Sequence, residues 1–277
     1  MARFAGPELV AQAAGGFLRP VGIVLMVLGG LVLAAMAFRA VTNAFQQKVT
    51  TVDDVEAATG LIAIGAIRDK GFSRAAADGK RFEPTDGLKQ ICRTLEHNGL
   101  GSGMQVLTVV PAGGRRHGST FAVDLARTLA SRGQNVLLVL ANLRQSRAQT
   151  ALGLSGFKGL AELLEDDSDD LVPLLISVAE HLMVLPSGSP EEDPAHALSR
   201  PVLRRLVASL RELGLTAIID APPSHYAADV LPLASEADAT LFVVRAGSRV
   251  GDLQEAARIS SYLAVADPAA VLVGARR

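Results

Sequence analysis

At 277 residues, with one cysteine and a formal net charge of −1, the chain has room for one α/β domain plus an appendage and carries no global field for nucleic acid. Hydrophobic residues make up 49% but aromatics only 4%, with no tryptophan, and the apolar bulk of Ala, Leu and Val suits helices on parallel strands rather than a β-sandwich. The lone Cys92 excludes an internal disulfide framework, and the histidines at 97, 117, 181, 196 and 225 lack metal-ligand spacing.

Residues 1–19 form an N-terminal tail. From Pro20 to Phe38 there is no charge, and Arg19 and Arg39 bracket the run. A helix of that length spans about 28 Å, close to the roughly 30 Å hydrocarbon core, so residues 20–39 are expected to cross a bilayer. One rival is a signal peptide, imitated by Ala35-Met36-Ala37, but the run is long for one and begins late; the other, a buried core helix, would show a polar stripe that this run lacks. Basic residues flank both ends, so charge leaves the orientation open.

Residues 40–85 read as a juxtamembrane segment and linker. Thr51 before Asp53 and Asp54 predicts a helix start and Gly60 its stop, whereas residues 68–85 have no apolar period. From Asp86 to the end the pattern is that of an α/β domain. A helix over 86–97 precedes a strand, Met104–Val110, a Gly-rich loop and a helix, Ser119–Ser131. Strands follow at Asn135–Ala141, near 182–185, and at Leu215–Asp220, Ala239–Arg245 and Ala270–Val273, with helices at Pro201–Leu213 and Val250–Leu263. This alternation predicts a parallel sheet with helices on both faces.

The loop after the first of these strands reads PAGGRRHGST, Pro111 to Thr120. A strand, a Gly-rich turn and a helix N-terminus form an anion site, because unpaired backbone N–H groups converge there. A working phosphate loop also needs a lysine before its Ser/Thr, and that position is Gly118. The candidate nucleotide-binding residues are Gly113, Gly114, Arg115, Arg116, Gly118, Ser119, Thr120 and Asp220. Ser119 and Asp220 are the candidates for Mg²⁺, since Asp220 ends the strand IIDAPP as a Walker B carboxylate would. Arg115 and Arg116 are candidates to replace the lysine charge, their alternative role being solvated loop residues.

With these motifs in place, Leu88 to Gly274 resembles the cytoplasmic domain of the bacterial tyrosine autokinases that pair with or fuse to polysaccharide co-polymerases. GGRRHGST resembles their phosphate loop, LANLR (Leu140–Arg144) their Walker A′ segment DADLR, and VLPSGSPEEDPAHALS their VLPxG segment. IIDAPPSHYAADVLPLASEADATLFVVRAG resembles their Walker B segment, and TTVDDVEAATGLIAIGAI the stretch after their second transmembrane helix. The resemblance implies a P-loop NTPase-like fold, Mg-ATP or Mg-ADP as cofactor, and a site in the inner membrane with the α/β domain in the cytoplasm.

The departures fall on the chemistry. Besides Gly118 for lysine, Leu140 and Asn142 stand where the resemblance implies two aspartates, and the implied C-terminal tyrosine cluster is missing, Tyr226 and Tyr262 being the two tyrosines of the sequence. An ion pair at 4 Å is worth at most roughly 4 kcal/mol at an effective dielectric near 20, so losing the lysine costs about three decades. The family's oligomer helix, ExxRxxR, is echoed by Asp86, Lys89 and Cys92, so a homo-oligomer is allowed but its charge pattern is incomplete. The expectation is an inner-membrane, pseudokinase-like subunit of exopolysaccharide or capsule export, acting through contacts with a polysaccharide co-polymerase or other export-machine membrane protein and with the bilayer, and binding no nucleic acid. The alternatives are an arginine-rescued autokinase or ATPase and a MinD-like positioning protein.

Overall fold

The computed structural model describes residues 26–39, 41, 47–68, 83–113, 118–145, 147–166, 170–189, 198, 200–262 and 265–275. The chain divides into two units, Met1–Gln47 and Lys48–Arg277. In the first, residues 26–39 are helical, with Met26, Leu33 and Phe38 exposed. Residues 20–25 of the expected span lie outside the described residues, and among the described residues no helix is long and apolar enough to cross a membrane.

The second unit is an eight-stranded sheet. Its strands are β1 (Ile62–Arg68), β2 (Val106–Ala112), β3 (Val136–Leu140), β4 (Ile176–Ala179), β5 (Leu182–Leu185), β6 (Thr216–Asp220), β7 (Ala239–Arg245) and β8 (Pro268–Ala275). The order across the sheet is β1-β8-β7-β2-β6-β3-β5-β4. Every pairing is parallel except β4 with β5. The central strands β2, β3 and β6 are buried at every residue, which is why they read as nearly continuous apolar runs rather than alternating ones.

Helices cover both faces. On one lie α2 (Asp86–His97) and α3 (Gly118–Ser131), which pack Ile91, Leu95, Phe121 and Leu125 onto Leu107, Leu138 and Ile218. The short helix α4 (Arg147–Ala151) adds Ala148 to that core. The other face is covered by α1 (Val52–Thr59), α5 (Leu160–Glu165), α6 (Arg200–Glu212), α7 (Ala227–Glu236) and α8 (Gln254–Ser260), around Leu137, Val139, Ile219 and Phe242. The helix predicted over Val250–Leu263 is shorter than expected: a 3₁₀ turn, Val250–Leu253, precedes α8.

One expectation about the segment before Asp86 changes. The helix between Thr51 and Gly60 is present, and Thr51 and Asp54 form a reciprocal capping box. It does not belong to a linker, however, because β1 follows it and pairs in parallel with β8, so the α/β unit begins before residue 86. Lys48 and Val49 are bound to the turn after β7: the Val49 N–H donates to the Ser248 carbonyl at 2.9 Å, and its own carbonyl accepts from Gly247 at 2.7 Å. In α2, the residue in the arginine register, Cys92, is fully buried. Burial pushes its thiol up to about 12, so it is a packing residue rather than a surface contact.

The motif resembling VLPxG is a packing joint. Loop carbonyls of Pro186 and Ser187 accept the first N–H groups of α5, from Leu160 and Ala161, at 2.8 and 3.0 Å. Glu162 accepts from the Gly159 and Ser189 N–H groups, and the buried Gln149 accepts from both the backbone and the hydroxyl of Ser187. A Cβ on Gly159 would stand 2.1 Å from the Pro186 carbonyl oxygen, so no side chain fits between these segments. Gly159→Ala is expected to cost about 3 kcal/mol, at the upper end of ordinary overpacking, as measured by urea denaturation. An unchanged midpoint would mean that the loop and α5 separate freely.

Candidate functional site

The chain leaving β2 crosses to β3 through α3 on one face, and the chain leaving β6 reaches β7 through α7 on the other. Because β2 and β6 are neighbours whose connections diverge, the carboxyl ends of these two strands form the topological switch point where ligands of open α/β sheets bind. The sequence places its conspicuous features there: Gly113 directly follows β2, Gly118 opens α3, and Asp220 ends β6.

Asp220 pairs in register with Val109 on one side and Leu140 on the other, and is fully buried. Neither carboxylate oxygen has a hydrogen-bond partner among the described residues. Burial therefore pushes its pKa from the ordinary value up to about 7. The Ser119 hydroxyl opposes this weakly from the start of α3, close enough to act on the carboxylate but without good hydrogen-bond geometry. Ser119 and Thr120 are half-buried in the first turn of that helix. Gly113 has φ +81°, and its N–H donates to the hydroxyl of the buried Ser224 at 3.2 Å. The proposed Gly114, Arg115 and Arg116 lie outside the described residues.

The Walker A′ positions serve other ends. Leu140 is fully buried among the core residues packed with α3. The Asn142 side-chain oxygen accepts from the Gln145 N–H at 3.3 Å, closing a local turn of the kind asparagine favours. Arg144 donates from Nε to Asp229 Oδ2 at 2.6 Å and from Nη2 to Oδ1 at 3.3 Å, a bidentate pair whose carboxylate is 1% exposed. Its guanidinium also lies 4.8 Å from the centre of the Tyr226 ring.

A nucleotide's magnesium would find Asp220 and Ser119 to hold it. The two unpartnered buried oxygens of Asp220 suit that role, because a carboxylate without donors is costly unless a cation or its water is supplied. β3 and the turn after it supply no second carboxylate, since Leu140 and Asn142 take those places. The described residues thus fit one metal-facing carboxylate, not the full set that phosphoryl transfer requires. Among the described residues there is no cluster of three or more His, Cys, Asp or Glu side chains able to hold a metal alone. Sequence reasoning missed Ser224 and Asp229. The string SHYAAD carries no periodic signal, and both residues act on partners distant in sequence.

The fold is a mixed α/β one with a mostly parallel sheet, similar to that of P-loop proteins. No family model matches the chain. It is 32% identical over 146 residues to the tyrosine-protein kinase YwqD of Bacillus subtilis, a match covering 53% of this chain and 61% of that protein. The kinase domain of the Escherichia coli tyrosine kinase ETK superposes with a TM-score of 0.68 at 18% identity, over 82% of this chain and 94% of that domain. A ParA family ATPase from Chlorobium tepidum gives a TM-score of 0.51 at 18% identity, over 61% of this chain and 73% of that one. The resemblance read from the sequence therefore holds: this chain is similar in sequence and fold to the bacterial tyrosine-protein kinases.

Proposed function

We propose that this protein is a non-catalytic, kinase-like subunit of an exopolysaccharide or capsule export machine, held in the bacterial inner membrane by residues 20–39 with its α/β unit in the cytoplasm. It acts by contact with a polysaccharide co-polymerase or another membrane protein of that machine. The observation that carries the reading is Leu140. It stands in register beside Asp220 and is fully buried in the core, so the place of a metal-organising carboxylate is filled with hydrocarbon. Gly118 and Asn142 remove two further charged groups without disturbing the strand, turn and helix around them. Support for the polysaccharide setting comes from the collinear motifs shared with kinases that pair with co-polymerases, and for the kinase branch over a positioning protein from the closer superposition on a kinase domain.

The test is calorimetric titration of the full-length chain with Mg-ATP, alongside a search for phosphotyrosine by mass spectrometry. Weak or absent binding and no phosphotyrosine are expected. The variant carrying Gly118→Lys, Leu140→Asp and Asn142→Asp together is expected to gain affinity, and its stability should depend on Mg²⁺, because a second carboxylate would then face Asp220. Tight Mg-ATP binding by the unmodified chain, lost in Arg115→Ala or Arg116→Ala, would favour an arginine-rescued enzyme.

A further inference from the structure

At the amino edge of the sheet, opposite the candidate site, the α/β unit has an open polar cavity of about 330 Å³. Its walls come from three connections. Glu96 and the turn with Gly101 and Ser102 lie between α2 and β2, Gln134 and Asn135 precede β3, and Thr216 opens β6. Asp220 ends that same five-residue strand, so the two ends stand about 13 Å apart and one small molecule does not reach both. The volume is at the lower end of ligand pockets, about 300–1,000 Å³, which suits a single small molecule rather than a polymer.

The hydrogen bonds of these walls leave one acceptor over. Arg132 donates to the Glu96 carboxylate from Nε at 2.9 Å and from Nη2 at 2.7 Å, and Gln134 donates from Nε2 to Glu96 Oε1 at 3.0 Å. An ionised carboxylate only accepts, so this bond fixes which end of the Gln134 amide faces Glu96. The other end, Oε1, is buried and has no donor among the described residues. Leaving a buried acceptor unmade is costly, and a donor entering the cavity removes that cost. Gly101 keeps the oxygen within reach. It has φ +86°, a conformation that suits glycine, and a Cβ there would stand 3.4 Å from both Gln134 Oε1 and Thr216 Oγ1.

The remaining wall groups are mixed and neutral. The hydroxyls of Thr216 and Ser102 both donate and accept, and Ser102 spends its proton on the Gly99 carbonyl at 3.2 Å. Asn135 Oδ1 lies 2.8 Å from His181 Nδ1, which leaves the Asn135 amide NH₂ as a donor. Glu96 is the one ionisable residue of the lining, and Arg132 neutralises it. We propose that this cavity binds one neutral, polyhydroxylated molecule of monosaccharide size, whose hydroxyls donate to Gln134 Oε1 and exchange hydrogen bonds with Thr216 and Ser102. The site is independent of the kinase-like reading, because none of its walls belongs to the phosphate loop or to Asp220.

The full-length chain in lauryldimethylamine oxide micelles, which carry no sugar, is titrated with D-glucose and observed by saturation-transfer difference NMR. Saturable transfer at millimolar glucose is expected. Thr216→Val removes a hydroxyl while keeping the side chain's shape, and Ser102→Ala does so on an exposed turn, with circular dichroism checking that each variant is folded. Each is expected to weaken binding about fivefold, the effect of one lost hydrogen bond. Methylammonium and acetate are expected not to displace glucose. No saturable transfer from the unmodified chain would leave the Gln134 oxygen to water and overturn the proposal. Full retention of binding in the folded variants also overturns it, and displacement by either ion overturns the neutral class.

Discussion

Asp220→Asn raises the stability of the unliganded chain at pH 8 and changes it little near pH 4. The folded state raises the Asp220 pKa to about 7, so between the ordinary carboxylate range and pH 7 the folded chain holds a proton that the unfolded chain has released. Stability falls with rising pH wherever the native state binds more protons, so this group's contribution declines from about pH 4 to about pH 7 and stays low above. A displacement from about 4 to about 7 corresponds to roughly 4 kcal/mol. Asparagine has the same shape and no charge, but its buried amide still lacks partners, so a gain of about 1–3 kcal/mol at pH 8 is expected. Urea denaturation of both proteins at pH 4 and pH 8 is the measurement. A variant that is less stable than the parent at pH 8 would show that the carboxylate has a compensating donor.

Arg144→Met should destabilise by about 3–5 kcal/mol, the usual cost of stranding one member of a buried ion pair. The loss comes chiefly from Asp229, whose carboxylate is 1% exposed and loses both of its guanidinium bonds. Methionine keeps much of the stem's packing, so the effect reports charge rather than volume. Adding Asp229→Leu to the same chain is expected to restore a large part of the loss, because no unpaired charge remains in the core. Non-restoration would place the role of Arg144 in its contact with Tyr226. Either result bears on the motif LANLR, whose final residue is here a fold residue.

The elements legible in the sequence are those whose burial is complete. β2, β3, β6 and β7 are apolar runs between turn residues, α2 buries one stripe and α3 is buried on nearly every side, so the apolar pattern places them within two residues. β1 escaped notice because IAIGAIR is half-buried at the sheet edge and mixes Gly and Ala with isoleucine. β4 is four residues long and antiparallel, a hairpin partner of β5 rather than a repeat of the α/β pattern. α7 contains Pro232, which reads as a breaker yet lies inside the helix. At the site, Asp220 was legible because a carboxylate ending an apolar strand is conspicuous. Ser224 was not, since its partner Gly113 is 111 residues away and a serine in a loop signals nothing on its own.

The bond between Val49 and the turn after β7 has a consequence for where this protein can work. That turn lies at the carboxyl edge of the sheet, and the chain continues from it into Asp252, whose carbonyl lies beside Gly113. The chain therefore enters the α/β unit at the same rim that carries its candidate site, not at the opposite end. The contour between residues 39 and 48 cannot exceed about 30 Å. Under the proposed anchoring, a partner fixed beside that segment would meet this rim at an effective concentration in the millimolar range. Weak contacts, too weak to survive dilution of the free domain, would then be sufficient for the full-length chain.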